Sequence, residues 1–165
     1  MLKFLSTIIF LLFTSITFGF AEILKDIKVD GNKRISKETI IVLGKIEVDT
    51  DYDNNKLNFT LKNLYNSNFF KDVNLNFDNS VLTINVVENP IIENIEITGI
   101  KRESITKKLT ESIILKNRMS FTENQLKKDI TLIKNILKTN GYYFAKVDSS
   151  LVKNDEVNSV NIKLD

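Results

Sequence analysis

The 165-residue chain contains no cysteine, no histidine, no tryptophan and only one proline. Without cysteine there is no disulfide framework, so any small domain must hold itself together by packing alone. Without histidine or cysteine there is no Ser-His-Asp or Cys-His nucleophile pair and no ordinary zinc site. Carboxylates, lysines, tyrosines and hydroxyls are the acids and bases that remain. A hydrolase built on carboxylates would need two of them brought together in one cleft, and no spacing in the chain predicts such a pair. A one-signed charge excess is also missing: Lys and Arg number 23 against 21 Asp and Glu. The two signs are interleaved, which is an ordinary solvated surface and not a nucleic-acid footprint.

Long apolar runs occur only at the N-terminus. One charge, Lys3, precedes "IIFLLF" (Ile8 to Phe13), and Gly19-Phe20-Ala21 leads to the first acidic residue, Glu22. A basic start, a short apolar stretch and small residues at −3 and −1 are the layout of a secretory leader, so residues 1–21 are predicted to be a signal peptide cleaved after Ala21. An uncleaved anchor is the competing reading. Ser6, Thr7, Thr14, Ser15 and Thr17 interrupt the roughly 18 apolar positions that a membrane span needs.

Beyond the leader the hydrophobic period changes in order. Ile27 and Val29 alternate with polar residues as in a half-buried strand, which Gly31-Asn32 breaks. Ser36 is predicted to cap a short helix carrying Ile40 and Leu43 and stopped by Gly44. The acidic run "DTDYD" (Asp49 to Asp53) imitates the start of a calcium loop, but Asn54 and Thr60 stand where that loop wants Gly and Glu. Asp53 is therefore predicted to be a helix N-cap. Leu57, Leu61, Leu64 and Tyr65 then share one helical face, ended by Asn66-Ser67-Asn68. Val73, Leu75 and Phe77 alternate, Asp78-Asn79-Ser80 turns the chain, and Leu82, Ile84 and Val86 alternate again as a β-hairpin.

The second half repeats this order. Ile95 and Ile97 lead to Gly99, Ser104 is predicted to cap a helix bearing Ile105, Leu109 and Ile113, and Thr122 with Gln125 fits a capping box. Leu126, Ile130, Ile133 and Leu137 form an amphipathic stripe ended by Asn140-Gly141. Phe144-Ala145-Lys146-Val147 leads into one strand and Val160, Ile162 and Leu164 mark another, with Lys153-Asn154-Asp155 predicted between them. Val29, Gly31, Lys33 and Arg34 match Ile97, Gly99, Lys101 and Arg102 at one constant separation, and "FFKDV" (Phe69 to Val73) answers "YFAKV" (Tyr143 to Val147). A period this long indicates tandem domains. The expected class is α+β: two domains, residues 22–89 and 90–165, each β-α-α-β-β with a three-stranded mixed sheet covered on one face by two helices. Pro90 lies between them.

"VDGNKRISKETI", "LYNSNFFKDVNLNF" and "LTINVVENPIIENIEITG" together resemble the first POTRA domain, and the start of the second, of the BamA family of outer-membrane assembly factors. The second half departs from that pattern at Ile100, where the family has Asn after glycine. The resemblance implies a non-enzymatic role without cofactors: periplasmic POTRA domains that receive unfolded β-barrel clients and dock accessory lipoproteins, ahead of a membrane barrel not included in this sequence. It also implies an exported, periplasmic location, and the chain is expected to be an N-terminal fragment of a longer protein or a truncated gene product.

An exposed sheet edge is a row of unpaired N–H and C=O groups that can bond an incoming strand whatever its sequence. By the family's layout the first strand of each hairpin lies at an edge. The candidate binding residues are therefore Val73, Asn74, Leu75, Asn76 and Phe77 in the first domain, and Lys146, Val147, Asp148, Ser149, Ser150 and Leu151 in the second. Asn74 and Asn76 are expected to face solvent, and a proline at Asn74 is expected to remove one edge donor. The Lys33-Arg34 and Lys101-Arg102 pairs read as solvated loop charges, two charges being too few for a lipid-binding cluster. The rival function is a cell-division anchor of the FtsQ type. That would show a basic cytoplasmic tail and an unbroken span, where only Lys3 precedes the apolar run.

Overall fold

The computed structural model describes residues 22–165, and the predicted leader lies outside the described residues. The first unit comprises strand β2 (Asp26–Asp30), helices α1 (Lys37–Gly44) and α2 (Asn54–Asn66), and the hairpin β4 (Phe70–Asp78) and β5 (Val81–Glu88). The second comprises β6 (Ile91–Ile97), α3 (Glu103–Ser112), α4 (Glu123–Thr139), β7 (Ser149–Asn154) and β8 (Ser159–Leu164). Each sheet places its last strand in the centre, in the orders β2-β5-β4 and β6-β8-β7, with one parallel and one antiparallel pairing. The class is α+β with mixed sheets, as expected. A further two-residue pair, β1 (Glu22–Ile23) against β3 (Asp51–Tyr52), is too short to leave a period in the sequence.

The helices begin where short oxygen-bearing side chains can take a free amide. Ser36 Oγ accepts from the Thr39 N–H at 3.2 Å, Asp53 Oδ1 from Lys56 at 2.9 Å and Thr122 Oγ1 from Gln125 at 3.3 Å. The Lys56 amide is the main reason the Asp53 carboxyl sits below its ordinary pKa. So the acidic run holds an N-cap, a short strand at Asp51 and an Asp49 ion pair with Lys25, and does not form a calcium loop.

Several expectations need correction. Helix α3 starts at Glu103 with Arg102 at the cap position and no side-chain cap, so Ser104 lies inside the helix. Gly44 is the last helical residue, and Lys45 takes the left-handed conformation beyond it (φ 53°). Gly44 is small for packing: a β-carbon there would approach Ile46 Cδ1 to 2.9 Å. The Gln125 side chain does not return to Thr122. It donates at 2.9 Å to Asp129, a buried carboxylate that also accepts the N–H groups of Ile114 and Leu115. The second hairpin turns over residues 155–158, because β7 runs on through Asn154.

Each unit has its own core. Ile27, Ile40, Leu64, Phe70, Val73, Leu82, Ile84 and Val86 fill the first; Ile105, Leu109, Ile133, Leu137, Val160, Ile162 and Leu164 fill the second. Each such side chain contributes roughly 1.5–3 kcal/mol by leaving water, which is the stabilisation a cysteine-free unit depends on. Among the described residues no helix is long and apolar enough to cross a membrane.

Candidate functional site at the open sheet edges

Both sheets have two edges, and the four edges are not alike. In an antiparallel pair, opposed residues alternate between exchanging both backbone bonds and exchanging none, so alternate residues of the outer strand aim their N–H and C=O away from the sheet. The turn between β4 and β5 fixes which. Asn79 and Ser80 both have positive φ (50° and 63°), the signature of a two-residue type I′ loop, which closes on a bonded Asp78–Val81 pair. Counting back, Asn76 and Asn74 bond inward to β5, while Phe77, Leu75 and Val73 face outward. The Val73 amide confirms the parity. It donates to Asp72 Oδ1 at 3.0 Å and to the Tyr65 hydroxyl oxygen at 3.2 Å, on the side away from β5.

The second sheet has the same parity. Asp148 and Asp165 exchange both backbone bonds, at 3.0 and 3.1 Å, so Ser149, Leu151 and Lys153 face outward. Among the described residues, no group outside the hairpins reaches the amides of Leu75, Phe77, Ser149, Leu151 or Lys153. The edge of β4 is capped at its start by Tyr65 and Asp72 and open along its second half.

The parallel edges are partly covered, with the outward amides of Val29 and Ile97 left without a partner among the described residues. On β2, Asp26 Oδ1 accepts the Ile27 N–H at 2.8 Å and the Lys37 ammonium donates to the Ile27 carbonyl. On β6, residues 117–121 lie alongside. Ile95 donates to Asn117 Oδ1 at 3.1 Å, Ile92 donates to the Met119 carbonyl at 2.8 Å, and the Arg118 amide donates to the Ile92 carbonyl at 2.7 Å.

The predicted residues fall into two groups. Val73, Asn74, Leu75, Asn76 and Phe77 all lie in the edge strand β4, with Asn74 and Asn76 exposed and Val73, Leu75 and Phe77 against the core. Ser149, Ser150 and Leu151 lie in the edge strand β7. Lys146 and Val147 precede it, and Asp148 joins it only through its bonds to Asp165. The role given to Asn74 is corrected: its amide points to β5, so proline there would break the hairpin and leave the edge donors in place. Parity is set by the two-residue loop Asn79-Ser80, whereas the sequence suggests a three-residue turn, Asp78-Asn79-Ser80, which leaves it open.

The two basic pairs also differ. Arg34 is structural: its Nε donates to Glu88 Oε2 at 3.0 Å and its Nη2 to the Asn89 carbonyl at 2.7 Å. Glu88 Oε1 accepts the N–H groups of Lys33, Arg34 and Ile35 at 2.7, 2.8 and 3.0 Å. Burial would raise the Glu88 pKa, but the three amides and the Arg34 charge outweigh it and hold the carboxyl below its ordinary value.

Residues 90–165 match the POTRA family model, described as a surface antigen variable number repeat. The chain is 29% identical over 156 residues, 94% of its length, to the outer membrane protein assembly factor BamA of Neorickettsia risticii. Residues 90–165 are similar to a POTRA domain. The chain spans 21% of the length of that relative. Two solved structures share the POTRA fold: the N-terminal domain of Omp85 from Thermosynechococcus elongatus (TM-score 0.55, 15% identity, 86% of this chain and 61% of that one) and POTRA1-2 of the periplasmic domain of Omp85 from Anabaena (TM-score 0.51, 12% identity, 87% and 93%).

Proposed function

We propose that this chain is the periplasmic POTRA region of a BamA-type outer-membrane assembly factor, with residues 22–89 a first POTRA domain and residues 90–165 a second. The first unit repeats the strand order, pairing and turn glycine of the second. On this reading the leader, residues 1–21, directs export and is removed after Ala21. Unfolded β-barrel segments add as strands to the outward amides and carbonyls of β4 (Leu75, Phe77) and β7 (Ser149, Leu151, Lys153), and accessory lipoproteins dock on the same domains. The observation that carries this is the run of outward ladder groups along β4 and β7 that no other group of the described residues meets, beside a β6 edge largely covered by residues 117–121. Backbone bonding of that kind selects extended chains with little regard to sequence, which suits a factor that meets many clients.

The test is Ser149→Pro, which removes an outward donor from an exposed position. Binding of an extended barrel-strand peptide should weaken about ten-fold, the effect of losing one or two ladder bonds, with the unfolding midpoint little changed. Asn74→Pro is the contrast: it should unfold the first hairpin. Full peptide affinity in a folded Ser149→Pro chain would refute the edge assignment on β7.

A further inference from the structure

The open part of the β4 edge has a definite beginning and a definite lining. Its outward groups are the Val73 carbonyl and the N–H and C=O of Leu75 and Phe77, and no group outside the hairpin among the described residues bonds any of them. The next group in the row, the Val73 N–H, is taken. It donates to the Tyr65 hydroxyl oxygen at 3.2 Å and to Asp72 Oδ1 at 3.0 Å, while the Tyr65 hydroxyl donates to the same Asp72 oxygen at 3.0 Å. Before Val73 the pairing of β4 with β5 shifts register between Phe70 and Asp72, so no regular ladder continues there.

Helix α2 runs back along this edge. Tyr65, near its end, reaches Val73; one turn and a half earlier, the Thr60 and Tyr52 hydroxyls are hydrogen-bonded at 2.6 Å, and the Tyr52 ring lies against Phe77 at 5.4 Å between centroids. Four helical residues advance about 6 Å and two strand residues about 6.8 Å, so the row Tyr65, Leu61, Leu57 keeps step with Val73, Leu75, Phe77. Leu57, Leu61, Leu75 and Phe77 are all left half-buried, whereas Asn74 and Asn76 are exposed on the other face of the strand.

We infer that Tyr65, held by Asp72, is the register stop of this edge, and that the strand admitted beyond it has apolar side chains opposite Leu75 and Phe77 and polar ones between them. The stop presupposes strand addition to β4, as proposed above. Cross-strand neighbours share a face in parallel and antiparallel pairs alike, so the two apolar residues point towards α2 and meet Leu61 and Leu57 in either direction. A strand moved further towards the start of β4 meets the Tyr65 hydroxyl in place of a free amide and loses a backbone bond. A slip of one residue puts its polar side chains under the leucines.

The experiment is amide-resolved hydrogen exchange on the full chain, with the peptide Thr-Val-Thr-Val-Thr-Val-Thr and an all-threonine peptide of the same length. In the parent the alternating peptide should slow exchange at Leu75 and Phe77, leave Val73 unchanged because Tyr65 already protects it, and bind roughly ten-fold tighter than all-threonine. Tyr65→Ala with Asp72→Ala should let Val73 exchange faster alone, bring it under protection by the peptide, and tighten binding roughly three- to ten-fold through one further ladder bond. Tyr65→Phe with Asp72→Ala keeps the ring in place and should also speed Val73 exchange; an unchanged rate overturns the hold on that amide. Absence of protection at Leu75 and Phe77 in the parent refutes strand addition to β4 itself. Protection there, with unchanged affinity in the alanine double variant and a Val73 amide that the peptide never covers, overturns the stop alone. Equal binding of the all-threonine peptide overturns the apolar requirement.

Discussion

Replacing Glu88 by alanine tests how the first unit joins its opening turn to its central strand. The side chain is 2% exposed, and its two oxygens serve three backbone amides and the Arg34 guanidinium. Removing one partner of a buried ion pair costs about 3–5 kcal/mol, because the other is left without its counter-charge. Arg34 is 32% exposed and water can reach part of it, so the lower end, about 3 kcal/mol, is expected. That is a large share of the 5–15 kcal/mol that holds a typical domain. In urea it should move the midpoint of the first unit by roughly 2 M or more, at an unchanged slope. Glu88→Gln keeps one acceptor oxygen and loses the charge, and should fall between alanine and the parent. An alanine variant within about 0.5 kcal/mol of the parent would show that the turn does not depend on this carboxylate.

The same carboxylate sets a pH dependence. Its folded pKa lies below the unfolded value of about 4.3, so its contribution is complete above that pH and disappears as pH falls through the lower folded value. Acid titration of stability should show this loss in the parent and not in Glu88→Gln. Ile133→Asp puts an unpaired charge at a core position 1% exposed and should unfold the second unit, read by loss of its circular-dichroism transition. Ser80→Gly should stabilise the first hairpin by about 0.5–1 kcal/mol, since Ser80 holds a left-handed conformation (φ 63°) that glycine adopts without strain; a lower urea midpoint would contradict the turn assignment.

Local signals in this chain were easy to read where one side chain answers one backbone group. Asp53, Ser36 and Thr122 cap helices because an oxygen three residues ahead of an amide is in reach whatever surrounds it. The stripe Leu126, Ile133 and Leu137 and the alternation Leu82, Ile84 and Val86 are buried because their period matches the element that carries them. The hairpins, the repeated order and the likeness to the POTRA pattern follow from such local regularities.

What sequence could not settle depends on groups far apart in the chain. Glu88 and Arg34 are separated by 54 residues, so nothing near either one announces the pair. Gln125 turns to Asp129, and not to its own cap, because Asp129 has been placed at the amides of Ile114 and Leu115 by the packing of α4. Whether an edge is open also depends on what folds back over it: Lys37 on β2, residues 117–121 on β6, Tyr65 on the first part of β4. The sequence by itself determined the elements, their order and their buried faces, because those depend on short-range periodicity and capping. Which backbone groups remain free to bind was decided only by the tertiary structure, because a hydrogen bond is used up by whichever group arrives there, however distant in sequence.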